Sequence, residues 1–430
     1  MSIEQERLAA IPWARQGNRR ARDSEVNHAL ELTNNGAYGL LNIYLDQFDQ
    51  QIRFDKDITV DGVTWDAQAV VDDGFVGHVM TTMRTNGWDR VRDSVIWNVV
   101  RSQALRNRRN PFREWLTGLT WDGVPRLDSW LPRWAGAADT AYVRAVGAKW
   151  LCAAVGRVME PGLKFDSVLV LHGRKGGGKS SVLRALGGAH FAEVRHLGLK
   201  GSRGNHPMIG KWLGEVPEID RLISGDGDAA EFKSWISLRA DRVLKPYARV
   251  HEDIPRAWVL AGTTNEVGWI RDTQNERRWW VVTVGDTLDV QGLAKVREQL
   301  LAEAVTRWPT EPLYMETEEL RRALKEALES FAAENPLEVK VGRWVAEETA
   351  PALRLGGLSG IALNVDDLPD CDVTNPRRRG EIRAALTALG MTSKRPRVNG
   401  RRAPEVWGWI SQEAAQACVA AYGQDYESEF

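Results

Sequence analysis

Apolar positions change period three times along the chain. Between Gly74 and Thr85, and again between Ser94 and Asn107, they recur at helical spacing. Around Gln51-Ile52-Arg53-Phe54 and Ile58-Thr59-Val60-Asp61-Gly62-Val63-Thr64-Trp65 the pattern alternates, and the Asp-Gly pair predicts a hairpin turn. From about residue 141 the pattern becomes short apolar runs separated by helical stretches, which predicts an α/β domain with a mostly parallel sheet. Leu293 to Trp308 and Glu316 to Glu334 then read as two amphipathic helices. Beyond Pro336 the order is an apolar stretch at Leu358–Leu363, a helix entered through Pro376, and a turn at Asn399-Gly400. Val406-Trp407-Gly408-Trp409-Ile410 is the returning strand. A helix followed by a hairpin is the outline of a winged helix. The predicted domains are therefore 1–140 (mixed, mainly helical), 141–310 (the nucleotide-binding core), 311–340 (a helical linker) and 341–430 (winged-helix-like).

The core carries the chemistry. The apolar strand Ser167–Leu171 runs into Gly173-Arg174-Lys175-Gly176-Gly177-Gly178-Lys179-Ser180, and Ser181-Val182-Leu183-Arg184 begins a helix. This G-x-x-x-x-G-K-S loop between strand and helix aims backbone N–H groups and a helix N-terminus at one point, the requirement for holding a triphosphate. Gly173, Gly176, Gly177, Gly178, Lys179, Ser180 and Ser181 are the candidate nucleotide ligands. Lys179 reaches the β/γ oxygens, and Ser180 holds magnesium. ATP and Mg2+ are the expected cofactors.

Downstream, Lys211-Trp212-Leu213-Gly214-Glu215-Val216-Pro217-Glu218 supplies two carboxylates for the metal shell and the attacking water. Which of them is the base stays open. The buried-strand pattern Ala257–Thr264 delivers Asn265, whose amide suits a sensor of the γ-phosphate. Arg277 and Arg278 precede another apolar strand and are arginine-finger candidates, one of them equally a structural ion pair. Between these lies an insertion with Lys245, Tyr247, Arg249 and His251, where basic and aromatic residues interleave as in a groove for single-stranded nucleic acid. Tyr247, after Pro246, equally suits packing against the sheet.

Charge matters locally, not on average. The formal net charge is -1, yet from Arg377 to Glu405 nine Arg/Lys face only Glu381 and Glu405. Arg377, Arg378, Arg379, Lys394, Arg395, Arg397, Arg401 and Arg402 are the candidate contacts to duplex DNA. Asp55, Asp57, Asp72 and Asp73 follow no apolar strand and read as solvated turns, so no polymerase-type carboxylate pair is expected. The three cysteines lie far apart, with no C-x-x-C pair, which excludes a zinc framework and suits a reducing cytoplasm. Nor is a secretory leader or a membrane-spanning run expected. Most of the nineteen tryptophans, Trp150, Trp279 and Trp280 among them, fall in apolar stretches and are expected in the core.

In this order the motifs resemble those of the virulence-associated protein E family of phages and mobile genomic islands. The matching pieces are Leu119–Leu127, Pro161–Asp166, the phosphate loop, Trp212-Leu213-x-Glu215-x-x-Glu218, Lys245-Pro246-Tyr247, Gly262–Asn265 and Arg277–Trp280. The loop departs from the relatives, which often carry an amide or Ile-Gly where this chain has the more basic Arg174-Lys175-Gly176-Gly177. The family looks like a branch of AAA+ ATPases similar to superfamily 3 helicases. That resemblance implies a ring, hexameric, with ATP between subunits and a hairpin in the channel gripping single-stranded DNA. It also implies Glu215/Glu218 as Walker B acids, Asn265 as sensor 1, Arg277 or Arg278 as finger, and the N-terminal domain as an oligomerisation or DNA collar. The expected activity is an ATP-dependent DNA helicase in replication of a mobile element. The rival expectation is an origin-binding initiator whose ATPase switches assembly, and a small-molecule kinase leaves the basic segments without a use.

Overall fold

The computed structural model describes residues 24–194, 208–223, 226–243, 251–270, 277–332, 336–354, 363–364, 368, 376–394, 397–398, 401–402 and 406–422. The chain divides into two compact units, Met1–Glu266 with Glu276–Leu328, and Val267–Asn275 with Glu329–Phe430.

The first unit opens with a helical region built on a small sheet. Strand β1 (Ile43–Asp46) pairs antiparallel with β2 (Ile52–Phe54), while β3 (Ile58–Val60) and β4 (Val63–Trp65) form a separate hairpin. The Asp61-Gly62 turn lies inside this second hairpin, both residues having positive φ (44° and 79°) as the turn type requires. Ile52–Phe54 therefore does not join the hairpin as expected from the sequence, because β1, an apolar stretch the alternation did not single out, takes it instead. Strand β5 (Arg108–Arg109) adds in parallel to β1. Helices Asp73–Thr85 and Asp93–Arg106 lie where the periodicity put them and bury Phe75, Val79, Ile96 and Val100 in a common core with Phe54 and Val60. Asp72 caps the first of them by accepting from Phe75 N.

The centre is a five-stranded, wholly parallel sheet of β6 (Val168–His172), β7 (Phe191–Glu193), β8 (Leu213–Pro217), β11 (Val259–Thr264) and β12 (Trp279–Thr283). Its order is β12-β6-β11-β8-β7. The strands read as continuous hydrophobic runs because helices cover both faces of such a sheet. β11, with all six residues buried, sits between the β6 and β8 strands. The 19-residue helix Ala141–Met159 packs along it, with the indole of Trp150 donating to Leu260 O. Trp150, Trp279 and Trp280 are buried as expected. The remaining strands of the unit, β9 (Ala240–Val243) and β10 (Glu252–Pro255), form a two-stranded hairpin outside the sheet. The fold is thus mixed α/β around a parallel sheet.

The second unit holds helices Pro336–Arg354, Pro376–Ala388 and Gln412–Tyr422 and an antiparallel sheet of β13 (Leu363–Asn364), β14 (Met391–Lys394) and β17 (Val406–Trp409), in the order β13-β17-β14. Beyond β14 the short strands β15 (Arg397–Val398) and β16 (Arg401–Arg402) pair with each other. The helices and strands share one core of Val341, Trp344, Val345, Ile382, Leu386, Met391 and Trp407. Residue 341 lies inside the first helix.

Candidate nucleotide site

The site forms at the carboxyl ends of β6, β11 and β8, where a parallel sheet leaves a crevice. β6 ends at His172, and the chain turns through Gly173–Gly178 into the helix Lys179–Gly187. Two positions in the turn need glycine. Gly176 has φ +76° and Gly178, the residue capping the helix, has φ +97°. L side chains rarely adopt either. A Cβ built on Gly176 meets no protein atom within 4 Å, so the space over the loop is open to a ligand.

Lys179 is buried beneath that space. Its ammonium donates to Gly173 O (2.7 Å), Arg174 O (2.9 Å) and Asn265 Oδ1 (2.9 Å), and burial lowers its pKa. Ser180 Oγ donates to Glu215 Oε1 at 2.5 Å, and Thr263 Oγ1 donates to the same oxygen at 2.9 Å. Glu215 is 1% exposed. Burial pushes its pKa up, and the hydroxyl groups of Ser180 and Thr263 counteract only part of this. The ladder explains the convergence, because Ala261 is opposite both Leu169 on β6 and Glu215 on β8. Lys179, Ser180, Glu215 and Asn265 are thereby brought together. Ser181 is exposed at the first turn of the same helix. A buried lysine, a glycine turn at a helix N-terminus, a hydroxyl and a carboxylate fit a magnesium triphosphate.

Glu218 lies three residues past Glu215 in the left-handed region (φ 48°, ψ 50°), a costly conformation for a side chain with a Cβ. Its carboxylate pairs with Arg221 at 2.6 Å. Sequence reasoning missed two members of the site. Besides Thr263, Asp220 is buried and accepts from Thr264 Oγ1 at 2.5 Å, bracing the residue before Asn265. The acid two residues after Glu218 was visible, but its partner depended on the strand pairing.

Arg277 and Arg278 are not at this end of the sheet. They precede β12, which runs parallel to β6 with Trp279 opposite Val168 and Thr283 opposite His172. Five residues of strand, about 16 Å at ~3.3 Å per residue, separate them from the start of their own glycine loop. Both approach the buried Asp166, Arg277 at 3.4 Å and Arg278 at 3.6 Å.

Of the nucleic-acid candidates, Lys245, Tyr247 and Arg249 lie outside the described residues, as does Arg395. His251 is exposed next to β10. The base of that hairpin is anchored by Arg256, whose Nε and Nη2 donate to Asp241 Oδ1 (2.9 and 2.6 Å) between the rings of Trp235 and Trp258. Arg377, Arg378 and Arg379 occupy the first turns of the helix Pro376–Ala388. Lys394 ends β14, Arg397 is on β15, and Arg401 and Arg402 are on β16.

The Virulence-associated protein E-like domain family matches residues 116–333, just over half of the chain and the whole of the site described above. The chain belongs to this family. Among solved structures it is similar to the NrS-1 C-terminal region. An A-form apo structure of that region has 12% identity and a TM-score of 0.45, covering 87% of this chain and 99% of that one. A second apo structure of the same region has 13% identity and a TM-score of 0.45, covering 87% and 98%. No curated protein matches this member of the Virulence-associated protein E-like family. Among its described residues no helix is long and apolar enough to cross a membrane, and no group of His, Cys, Asp and Glu is placed to hold a metal by itself.

Proposed function

We propose that the chain is an ATP-driven DNA helicase of AAA+ type, serving replication of a phage or mobile element as a ring of identical subunits. One observation carries the reading. Lys179, Ser180, Glu215 and Asn265, from three separate stretches of sequence, converge on one open cradle at the carboxyl end of the parallel sheet. The order β12-β6-β11-β8-β7 supports it, since a strand between the loop strand and the acid strand lets Asn265 reach Lys179 while Thr263 reaches Glu215.

Bound Mg2+–ATP would supply an electrophilic phosphorus and a divalent positive charge. Lys179 and the loop N–H groups bind and orient the β/γ oxygens, and Ser180 with Glu215 holds the metal shell. Asn265, bonded to Lys179 through Oδ1, would orient groups on the γ-phosphate side. Glu218, held in its strained backbone, takes the water-polarising role.

The basic second unit supports DNA as the partner. Three arginines open the helix Pro376–Ala388, where the helix dipole disfavours positive charge by about 0.3–1 kcal/mol each. Phosphate groups relieve that conflict. The same feature supports the second reading, an origin-binding initiator that hydrolyses ATP to switch assembly. ATPase assays with and without DNA, alongside strand separation on a forked duplex, test the proposal. DNA-stimulated hydrolysis without unwinding would favour the initiator, and no hydrolysis would end both.

A further inference from the structure

A residue with a Cβ stays in the left-handed region that Glu218 occupies only where its surroundings over-determine the backbone. The paired part of β8 ends at Pro217, opposite Thr263 on β11. The chain then passes through Glu218 into the short helix Ile219–Leu222, which packs on β11. Two anchors follow Glu218 directly. Ile219 is fully buried over Gly262, where a Cβ would lie 2.7 Å from Ile219 Cδ1, so only glycine leaves room for that side chain. Asp220, also buried, accepts from Thr264 Oγ1 at 2.5 Å. Residues 219 and 220 are thus each tied to β11, one by packing and one by a hydrogen bond. The strained turn is fixed on both sides.

Thr264 is a junction. Its carbonyl accepts from Gly173 N (3.3 Å), the first glycine of the phosphate loop, and its hydroxyl also accepts from Glu266 N (3.0 Å). Asn265, the next residue, bonds Lys179. One residue of β11 therefore joins the acid loop to the loop that would hold the phosphates. Two reacting groups supplied by different strands need such a fixed link, because small misplacements cost large factors in rate. The exposures of the two acids differ as their parts require. Asp220 is 8% exposed and turned to Thr264, whereas the Glu218 side chain is 45% exposed.

We infer that Asp220 is the positioning residue of Glu218, and that its bond to Thr264 sets the place of that carboxylate relative to the phosphate loop. This inference rests on the ATPase reading above, with Glu218 as the water-polarising group. Asp220 acts through Glu218 alone, by holding the strained turn in register with β11.

The test uses the full chain and the variants Asp220→Ala, Thr264→Val and Thr264→Ser, with hydrolysis followed across ATP concentration. Asp220→Ala and Thr264→Val should each lower kcat at least about tenfold, while KM for ATP stays within about threefold of wild type. The double variant should be about as slow as either single one, the non-additivity of two residues acting through one bond. Thr264→Ser keeps the hydroxyl and should recover most of the lost rate. Thr264→Val also takes the acceptor from Glu266 N, so a matching loss in Asp220→Ala assigns the effect to the Asp220 bond. In a Glu218→Gln background, adding Asp220→Ala should cost less than about threefold further. A merely structural residue would lower the melting temperature without this pattern in kcat. If Asp220→Ala fails to fold, the contrast between Thr264→Val and Thr264→Ser still decides. A kcat within about twofold of wild type in Thr264→Val, equal slowing in Thr264→Ser, or a further loss of about tenfold on top of Glu218→Gln overturns the assignment. If wild type neither binds nor hydrolyses ATP, the site reading fails as well. If wild type is active and Lys179→Ala is not, the site reading stands and any failure belongs to the Asp220 assignment alone.

Discussion

Ser180 and Glu215, 35 residues apart, are joined by a 2.5 Å hydrogen bond from hydroxyl to carboxylate. In a site that takes up magnesium these two groups are the natural inner pair, already facing each other and braced by Thr263. A magnesium ion held by Ser180 and Glu215 would offset the burial that disfavours this carboxylate's charge. Burial thus gives the ionised Glu215 a cost in the protein without a metal.

The first prediction concerns that cost. Burial raises the Glu215 pKa, so its contribution to stability is fully present below the unfolded value near 4.5 and is lost as pH rises through the folded value. Glu215→Gln removes the charge and keeps an acceptor for Ser180. The nucleotide-free variant should melt at or above wild type at pH 7.5, with the difference vanishing toward pH 4. Mg2+-dependent ATP hydrolysis should fall at least about a hundredfold. A variant that melts well below wild type at pH 7.5 would show that the carboxylate charge is stabilising.

Lys179→Ala should abolish hydrolysis, because its charge on the β/γ oxygens stabilises the transition state by several kcal/mol. The lysine also ties Gly173, Arg174 and Asn265 together, so the free loop should loosen. Faster amide exchange at Gly173–Gly178 without loss of the global fold is the expected signature. Turnover within tenfold of wild type would remove the glycine loop from the reaction.

Much of this site was legible in the sequence, for a physical reason. A phosphate cradle needs fixed spacing between glycine, lysine and hydroxyl, and Gly173–Ser180 keeps it in one stretch. Glu215 and Asn265 were readable because each belongs to or directly follows an apolar strand, although Glu215 sits in the middle of β8 rather than at its end. Thr263, Asp220 and Asp166 were not legible as partners. Each acts through a residue 44 to 111 positions away, and only the ladder of β6, β8, β11 and β12 creates those meetings. The N-terminal hairpin failed for a similar reason, as β1 competes for Ile52–Phe54 and carries no turn signal.

Arg256→Ala should be among the most destabilising substitutions in the chain. Its side chain is fully buried, and removing it takes the ion pair and two hydrogen bonds away from the 8% exposed Asp241, a loss of about 3–5 kcal/mol. The exposed Arg144, paired with Asp139, should tolerate alanine with little change. Denaturant midpoints of the two variants compare them directly. Equal midpoints would mean that the β9–β10 hairpin is not anchored through this pair.

The hairpin that Arg256 anchors also carries the candidate single-strand contacts, and replacing Arg249 and His251 by alanine tests them. Basal ATPase should stay near normal, while stimulation by DNA and strand separation are both lost. Loss of folding together with basal ATPase would make the loop structural, and normal unwinding would place the grip elsewhere.

The basic strands of the second unit give the last prediction. Truncating the chain at residue 341 would cut the helix Pro336–Arg354 and remove Trp344 and Val345 from their core, so lost binding would report unfolding. Substituting Arg401 and Arg402 on β16 by glutamine changes charge at two positions and leaves the apolar core residues in place. If both meet phosphates, each phosphate that is no longer neutralised takes about 0.9 off the slope of log affinity against log salt. The doubly substituted chain should therefore show a slope shallower by about 1.8, with weaker duplex affinity and an unchanged melting temperature. An unchanged slope would take duplex DNA away from β16 and leave Lys394, Arg395, Arg397 and the arginines at the start of the helix Pro376–Ala388 as the remaining candidates.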